Sequence, residues 1–419
     1  MRICIITVVA AGVGGMQRHT HDLVRGLVAV GHEVEVVAEA DPSLESRLYG
    51  ARWHSVATSG LVGDFAHPSW VEGSRLAFVA AHAERPFDVV HSEGSSALGL
   101  VLAGLHRQVP LVVQFHGNYL GLLKAAVRRA TRSPLTAPRE ARYLAGLSRS
   151  HFTPGNLTGF RDCEAIVVSR QQAADTRISH TLDPRRLHVV PNGVDTELWH
   201  PLPRTPRARP LLVASGRLNR EKGFDIAIKA MRSLDAELVV FGDGEERERL
   251  PELARRSGVD DRVRFAGARP QAEIALTVAS ADVFLFPTVR EEAAPLVLPE
   301  AMSCGVAVVA SRIGGIPEVI DRPGVNGILV KPGSVDALVA EVSRLLADDD
   351  GRRVIGEQAR ERILAEYTLE QMVERTVAVY RHATANARRS DGRTARGPGP
   401  GGHPARTTQR SSAQSVPLP

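Results

Sequence analysis

The chain has little with which to build a covalent staple or a metal centre. Its 419 residues include three cysteines, Cys4, Cys163 and Cys304. They are far apart, with no Cys-x-x-Cys and no zinc-spaced His cluster, which leaves no disulfide framework or zinc finger to organise it. A reduced, cytosolic protein is the simplest reading. No apolar run approaches the ~20 residues of a membrane-spanning helix. The first residues, Met1–Gly12, resemble a signal peptide only superficially: a single Arg forms the charged start, and a Gly-rich and then an amphipathic stretch follow, as in a strand, loop and helix. No Asp-x-Asp stands at a predicted strand end to hold a metal beside a phosphate. The body of the chain also lacks a basic surplus. Net charge is +5, but residues 386–419 carry six Arg and one Asp, so the first 385 residues are formally neutral. That argues against nucleic acid as a partner of the folded part.

What is present is an ordinary globular mixture, 43% hydrophobic and 24% charged, long enough for two domains. One stretch carries the chemistry: Glu292–Gly305, E-A-A-P-L-V-L-P-E-A-M-S-C-G, after the apolar run Asp282–Pro287 that reads as a buried parallel strand. Seven residues separate Glu292 from Glu300. On one helix they would point about 80° apart. Pro295 and Pro299 instead suit a helix beginning near Leu296, with Glu292 on the loop before it and Glu300 within it. The free N–H groups of Leu296 and Val297 would then face an anion. Carboxylates beside an anion should contact uncharged hydroxyls. An anion flanked by hydroxyl-bearing groups describes a nucleotide-sugar. Glu291 is also acidic, but only Glu292 keeps the seven-residue spacing to Glu300.

This stretch resembles the Glu-x7-Glu signature of family 4 of the retaining glycosyltransferases, which have the GT-B fold: two doubly wound, Rossmann-like α/β domains facing a central cleft. Ala293-Ala294-Pro295 stands where that family usually has Gly-Phe-Gly or similar. The resemblance implies that Glu300 binds the nucleotide ribose and Glu292 the transferred sugar.

Other elements follow in the family's order. Ile3–Val9 reads as a buried strand, followed by Gly12-Val-Gly14-Gly15, a helix over Met16–Val30 and a strand over Glu33–Ala38, a βαβ unit opening on a glycine turn. It resembles the family's G-G-x-x-R-H start, which implies that Gly15 faces the diphosphate. Val89–His91 and Leu111–Phe115 read as further strands, each ending at a histidine, His91 and His116. His116-Gly117 resembles the family's His-Gly element, whose His contacts the hexose. Strands follow over Glu164–Ser169 and Arg186–Pro191, the second running into Pro191-Asn-Gly-Val-Asp195, which resembles the family's hinge marker, and the proline-rich linker 201–210 comes next. Leu211–Ser215 opens the second domain. Arg217 and Lys222, near a strand end and a helix start, suit a diphosphate as forked donor and point charge, and they match the family's G-R-L-x-x-x-K-G element. After the strand Glu237–Phe241, Arg264–Gly267 resembles the strand beside the nucleotide base, which places Ala268 there. Gly314-Gly315 and Asn326-Gly327 resemble later elements that support the fold.

The expected domains are 1–200 on the acceptor side, 201–370 for the nucleotide-sugar, a helix over 371–385 crossing back to the first domain, and a disordered basic tail over 386–419. The resemblance implies transfer of a hexose with retention. Arg217, Lys222 and the helix N–H groups would stabilise the leaving diphosphate, replacing a metal, so no cofactor and no metal are expected. Two other classes stay open: a GT-B-type epimerase or hydrolase, and a noncatalytic protein using its tail on nucleic acid. Residues 120–151 carry seven Lys or Arg against one Glu. They suit an anionic membrane surface, giving a cytoplasmic protein peripheral at the inner face, or an anionic acceptor, or plain solvent.

Overall fold

The structure is a computed structural model. It describes residues 1–394 except 9, 11–13, 41–48, 60–65, 118–126, 128–137, 139–140, 142–158, 180–181 and 204–206. The basic segment 120–151 therefore lies almost wholly outside the described residues.

The first sheet is built from β1 (Arg2–Thr7), β2 (Glu33–Glu39), β3 (Arg52–Val56), β4 (Val89–Glu93), β5 (Leu111–Phe115), β6 (Glu164–Val167) and β7 (Leu187–Val189). These seven parallel strands lie in the order β3-β2-β1-β4-β5-β6-β7. The strand order reverses between β1 and β4, and at such a switch point a crevice opens beyond the carboxyl ends. Among the described residues, the helices that accompany this sheet in sequence are α1 (Gly15–Ala29), α2 (Pro68–Glu84), α3 (Leu98–Leu102) and α4 (Arg170–Ser179). β1 shows why it is central. Its side chains alternate with the period of two of a strand, Ile3 and Ile5 joining one core and Cys4 and Ile6 the other. Each fully buried aliphatic side chain contributes about 1.5–3 kcal/mol.

The second sheet repeats the plan with β8 (Leu211–Ser215), β9 (Glu237–Phe241), β10 (Val263–Gly267), β11 (Val283–Phe286), β12 (Ala307–Ser311) and β13 (Ile328–Val330), in the order β10-β9-β8-β11-β12-β13. Its switch point lies between β8 and β11. Its helices are α5 (Phe224–Ala230), α6 (Arg249–Arg256), α7 (Gln271–Ala279), α8 (Val297–Ser303), α9 (Ile316–Val319), α10 (Val335–Ala347) and α11 (Asp349–Glu366).

A last helix, α12 (Leu369–Thr394), returns to the first sheet. Met372, Val373, Val377 and Tyr380 pack with Ile3, Ile5, Leu23 and Leu27. The return is as expected from sequence, but the helix is longer. It begins at Leu369 and continues through residues 386–394, part of the stretch expected to be disordered. Ala387, Arg388 and Arg389 favour helix, and no proline interrupts before Pro398. Asn386 also donates to Glu164 Oε1 at 3.2 Å. Residues 395–419 lie outside the described residues.

One further boundary differs from expectation. β4 does not stop at His91 but runs on to Glu93, so His91 lies inside the strand and is fully buried. α8 starts at Val297 with Leu296 as its cap residue, in keeping with the start expected near Leu296. All three cysteines are free and buried. Burial raises each thiol, Cys163 and Cys304 to about 12, so none is poised as a nucleophile.

Candidate functional site between the two sheets

The site begins where β8 ends. Gly216 turns the chain, Arg217 stands exposed in the loop, and a 3-10 turn over Arg220–Lys222 follows. Asn219 caps that turn by accepting from the Lys222 N–H at 3.2 Å. Gly223 comes next in the left-handed region, φ +72, and a Cβ there would lie 2.0 Å from the Pro287 carbonyl oxygen. Only glycine lets the Lys222 turn sit so close to the end of β11. The contact is sewn further: the Glu221 carbonyl accepts from Val289 N–H and Thr288 Oγ1, and Arg290 pairs with the Glu221 carboxylate at 3.2 Å.

This positions Lys222 against Glu292. Its Nζ donates to Glu292 Oε1 at 2.8 Å, and both side chains remain partly accessible. Gly314 and Gly315, read from sequence only as supports of the fold, hold the other side of the Glu292 loop. The Gly315 N–H donates to the Glu292 carbonyl at 2.8 Å. A Cβ on Gly314, φ +59, would meet that same oxygen at 2.4 Å, and one on Gly315 would meet the Ala293 oxygen at 2.1 Å. The loop bearing Glu292 is thus clamped between two glycine-dependent close approaches.

The first sheet supplies the facing wall. Arg18, one turn into α1, forms an ion pair with Glu300 of α8, whose carboxylate is 5% exposed. Gly15 begins α1 opposite Leu296, yet a Cβ on Gly15 would sit 3.9 Å from Leu296 Cδ1, an ordinary contact. No described neighbour requires glycine there. Leu296 and Val297 form the first turn of α8, where helix N–H groups have no intrahelical acceptor. Ala268 is exposed immediately after β10. Elsewhere the Glu318 carboxylate accepts from the N–H groups of Arg170 and Gln171 at 2.8 Å each, capping α4 across the gap.

His116 follows β5 and donates from Nε2 to Glu93 Oε2. The Glu93 carboxylate is fully buried. Sequence reading missed Glu93 because β4 was read as ending two residues too early. It also missed His19, buried on α1, whose ring packs edge-on against His116 with centroids 4.7 Å apart. His19, Glu93 and His116 bring metal-ligating atoms within 4.8 Å of one another, as do Glu164, His188 and His382. In the first group His116 Nε2 is already spent on Glu93. In the second, Arg186 and Asn386 share the Glu164 carboxylate.

A family model described as Glycosyltransferase Family 4 matches residues 13–198, and one described as Glycosyl transferases group 1 matches residues 195–362. The MMP alpha-(1->4)-mannosyltransferase of Mycolicibacterium hassiacum is 31% identical over 317 residues, 74% of this chain and 74% of that protein. The chain belongs to glycosyltransferase family 4. A D-inositol 3-phosphate glycosyltransferase of Catenulispora acidiphila is 32% identical over 330 residues, 72% of this chain and 74% of the relative. Sucrose-phosphate synthase from Thermosynechococcus elongatus shares the fold, with TM-score 0.75, 24% identity and coverage of 92% of this chain and 99% of its own. Anabaena HepE, solved in complex with UDP, shares it at TM-score 0.69 and 20% identity, covering 90% and 99%. The fold of this glycosyltransferase is GT-B, two parallel-sheet α/β domains. Its Lys222–Glu292 and Arg18–Glu300 pairs lie in the stretch where the sheets' carboxyl ends meet. Among the described residues no helix is long and apolar enough to cross a membrane.

Proposed function

We propose that this glycosyltransferase moves a hexose from a nucleotide-diphosphate sugar to an acceptor hydroxyl, with retention at the anomeric carbon and without a metal or other cofactor. The observation that carries the reading is the pairing of each signature carboxylate with a cation, Glu292 with Lys222 and Glu300 with Arg18. A donor seated there replaces both partners. Its ribose hydroxyls take Glu300, its hexose hydroxyls take Glu292, and its diphosphate takes Lys222 together with Arg217, which pairs with no carboxylate among the described residues. Gly15 leaves room for the diphosphate, and the N–H groups of Leu296 and Val297 add to its binding. Ala268 lies by the base and His116 by the hexose.

The chemistry follows from these groups. As the bond from the anomeric carbon to the phosphate oxygen breaks, negative charge grows on the diphosphate, and preorganised cations stabilise it. The acceptor oxygen attacks from the same face and its proton passes to the departing phosphate. No side chain is assigned as a covalent nucleophile. The D-inositol 3-phosphate glycosyltransferase among the similar proteins suits a basic acceptor side, and residues 120–151 would meet an anionic acceptor or an anionic membrane surface in the cytoplasm.

The test is a thermal-shift screen of nucleotide-sugars, since a ligand of the folded state raises its stability by mass action. Product analysis by NMR follows, with and without acceptor. Turnover of donor alone to an epimer or free sugar would favour an epimerase or hydrolase. Activity should survive excess EDTA; abolition with rescue by Mg²⁺ or Mn²⁺ would refute the metal-free phosphate site.

A further inference from the structure

Glu93 is a buried carboxylate that the reading above does not use. It ends β4, is 1% exposed, and pairs in register with Gln114 of β5. His116 lies two residues beyond Gln114, just past the end of β5. Oε2 of Glu93 accepts from His116 Nε2. Oε1 faces two more imidazoles, His91 Nε2 at 3.5 Å and His19 Nε2 at 3.9 Å, both farther than a well-formed hydrogen bond. Tyr380 of α12, also fully buried, hydrogen-bonds His91 Nδ1 at 2.9 Å. A buried carboxylate with one true hydrogen-bond partner is costly, and an apolar residue of similar size would serve packing as well. Its one partner, His116, is the member of the cluster that reaches the cleft, its side chain 15% exposed.

We propose that Glu93 is a positioning residue that fixes the tautomer and aim of His116: it takes the Nε2 proton as a hydrogen bond, so that Nδ1 is the ring nitrogen presented to the donor hexose. The inference rests on the placement of His116 at that hexose. A neutral imidazole has one donor and one acceptor nitrogen, and the bond made by one decides the role of the other. Nδ1 then accepts from a sugar hydroxyl. Burial alone would raise the Glu93 carboxyl, but the neighbouring His116, with its hydrogen bond, then His91 and His19, outweigh burial and hold it well below the usual carboxylate range, so Glu93 stays an acceptor. His19 is pushed down to about 3, first by burial, and stays neutral as a packing wall. Tyr380 fixes His91 from behind, tying the cluster to the crossing helix.

The experiment uses the full chain labelled with ¹⁵N-histidine, with His116 resonances assigned by their loss in His116→Asn. Long-range ¹H–¹⁵N spectra report the tautomer without any ligand. The wild type should show His116 protonated at Nε2. Glu93→Gln should give a mixed or Nδ1-protonated ring, Glu93→Asp should partly restore the wild-type pattern, and Tyr380→Phe should leave it. With the nucleotide-sugar that the enzyme turns over, Glu93→Gln should lower kcat roughly ten- to a hundredfold while donor KM changes little. An Nδ1-protonated His116 in the wild type overturns the proposal, as does a tautomer or kcat unmoved by Glu93→Gln. A metal ion bound one-to-one and lost in His19→Ala also overturns it. If Glu93→Gln does not fold, the wild-type tautomer decides. A His116→Asn variant with full kcat would sink the hexose placement, while the tautomer result would still judge the hold of Glu93 on His116.

Discussion

The two sheets of this molecule handle their site carboxylates in opposite ways. On the second, Glu292 and Glu300 are each matched to one cation, Lys222 and Arg18, which the proposed donor would displace. On the first, Glu93 is itself fully buried among three histidines, of which His19 and His91 are buried too and only His116 reaches the cleft. The Lys222–Glu292 pair is partly accessible and costs little to break, because water and ligand compensate both charges, whereas burial already pushes Arg18 beside Glu300 down to about 10. A buried carboxylate stripped of its partner keeps its full desolvation penalty. The second sheet is therefore built to exchange partners with a substrate, and the first to hold one partner in one orientation.

The largest effect should come from breaking the exchangeable side at its cation. Lys222→Ala should lower kcat on the order of 10²–10³, with Arg217→Ala similar and Glu292→Gln reducing kcat more than donor affinity. Wild-type kinetics in Lys222→Ala would remove the distinction drawn here. Glu300→Ala should act on binding instead. Losing charged hydrogen bonds of about 1.5–3 kcal/mol corresponds to a donor Kd weaker by roughly ten- to a hundredfold, read by calorimetry.

The fixed side should show itself in acid stability. Folded His19 sits at about 3, whereas an unfolded histidine titrates near ~6.5. Between those values the unfolded chain binds more protons, so stability should fall as pH drops below ~6.5. Melting from pH 7.5 to pH 5 should show a smaller decline in His19→Gln than in the wild type; identical slopes would contradict a buried neutral His19. The smallest effect concerns the chain's end. Ending it after Thr394 should leave folding and transfer unchanged. Ending it at Thr384 removes the Asn386 bond to Glu164 and should lower Tm by only a few degrees while transfer persists.

Much of this was legible because the strands that present the site are buried on both faces. Leu111–Phe115, Leu211–Ser215 and Glu237–Phe241 are mainly apolar runs followed by histidine or glycine, and their bounds match the structure. β3, Arg-Trp-His-Ser-Val, went unread because it is an edge strand with polar side chains and no apolar run. Lys222 and Glu292 could be named separately, but their 2.8 Å contact is made by Gly223 and Gly314, whose close approaches no spacing reveals. Glu93 was hidden for another reason. In Val89-Val-His-Ser-Glu93 the polar residues look like a strand giving way to a loop, whereas here they are the buried end of the strand itself. Charge is a good sign of exposure except where a fold spends it inside.

The chain passes between the two sheets twice, once after β7 and once into α12, and the passages are bound to each other. Val194 donates to the Tyr367 carbonyl at 2.8 Å and accepts from the Leu369 N–H at 3.0 Å. They run so close that a Cβ on Gly193 would lie 2.7 Å from Leu369 Cα. One tether would let the halves swivel freely. Two tethers, hydrogen-bonded side by side, define an axis: rocking about it bends both together, while twisting would shear the bonds between them. Any change in the angle between the two sheets would therefore have to pass through both tethers at once.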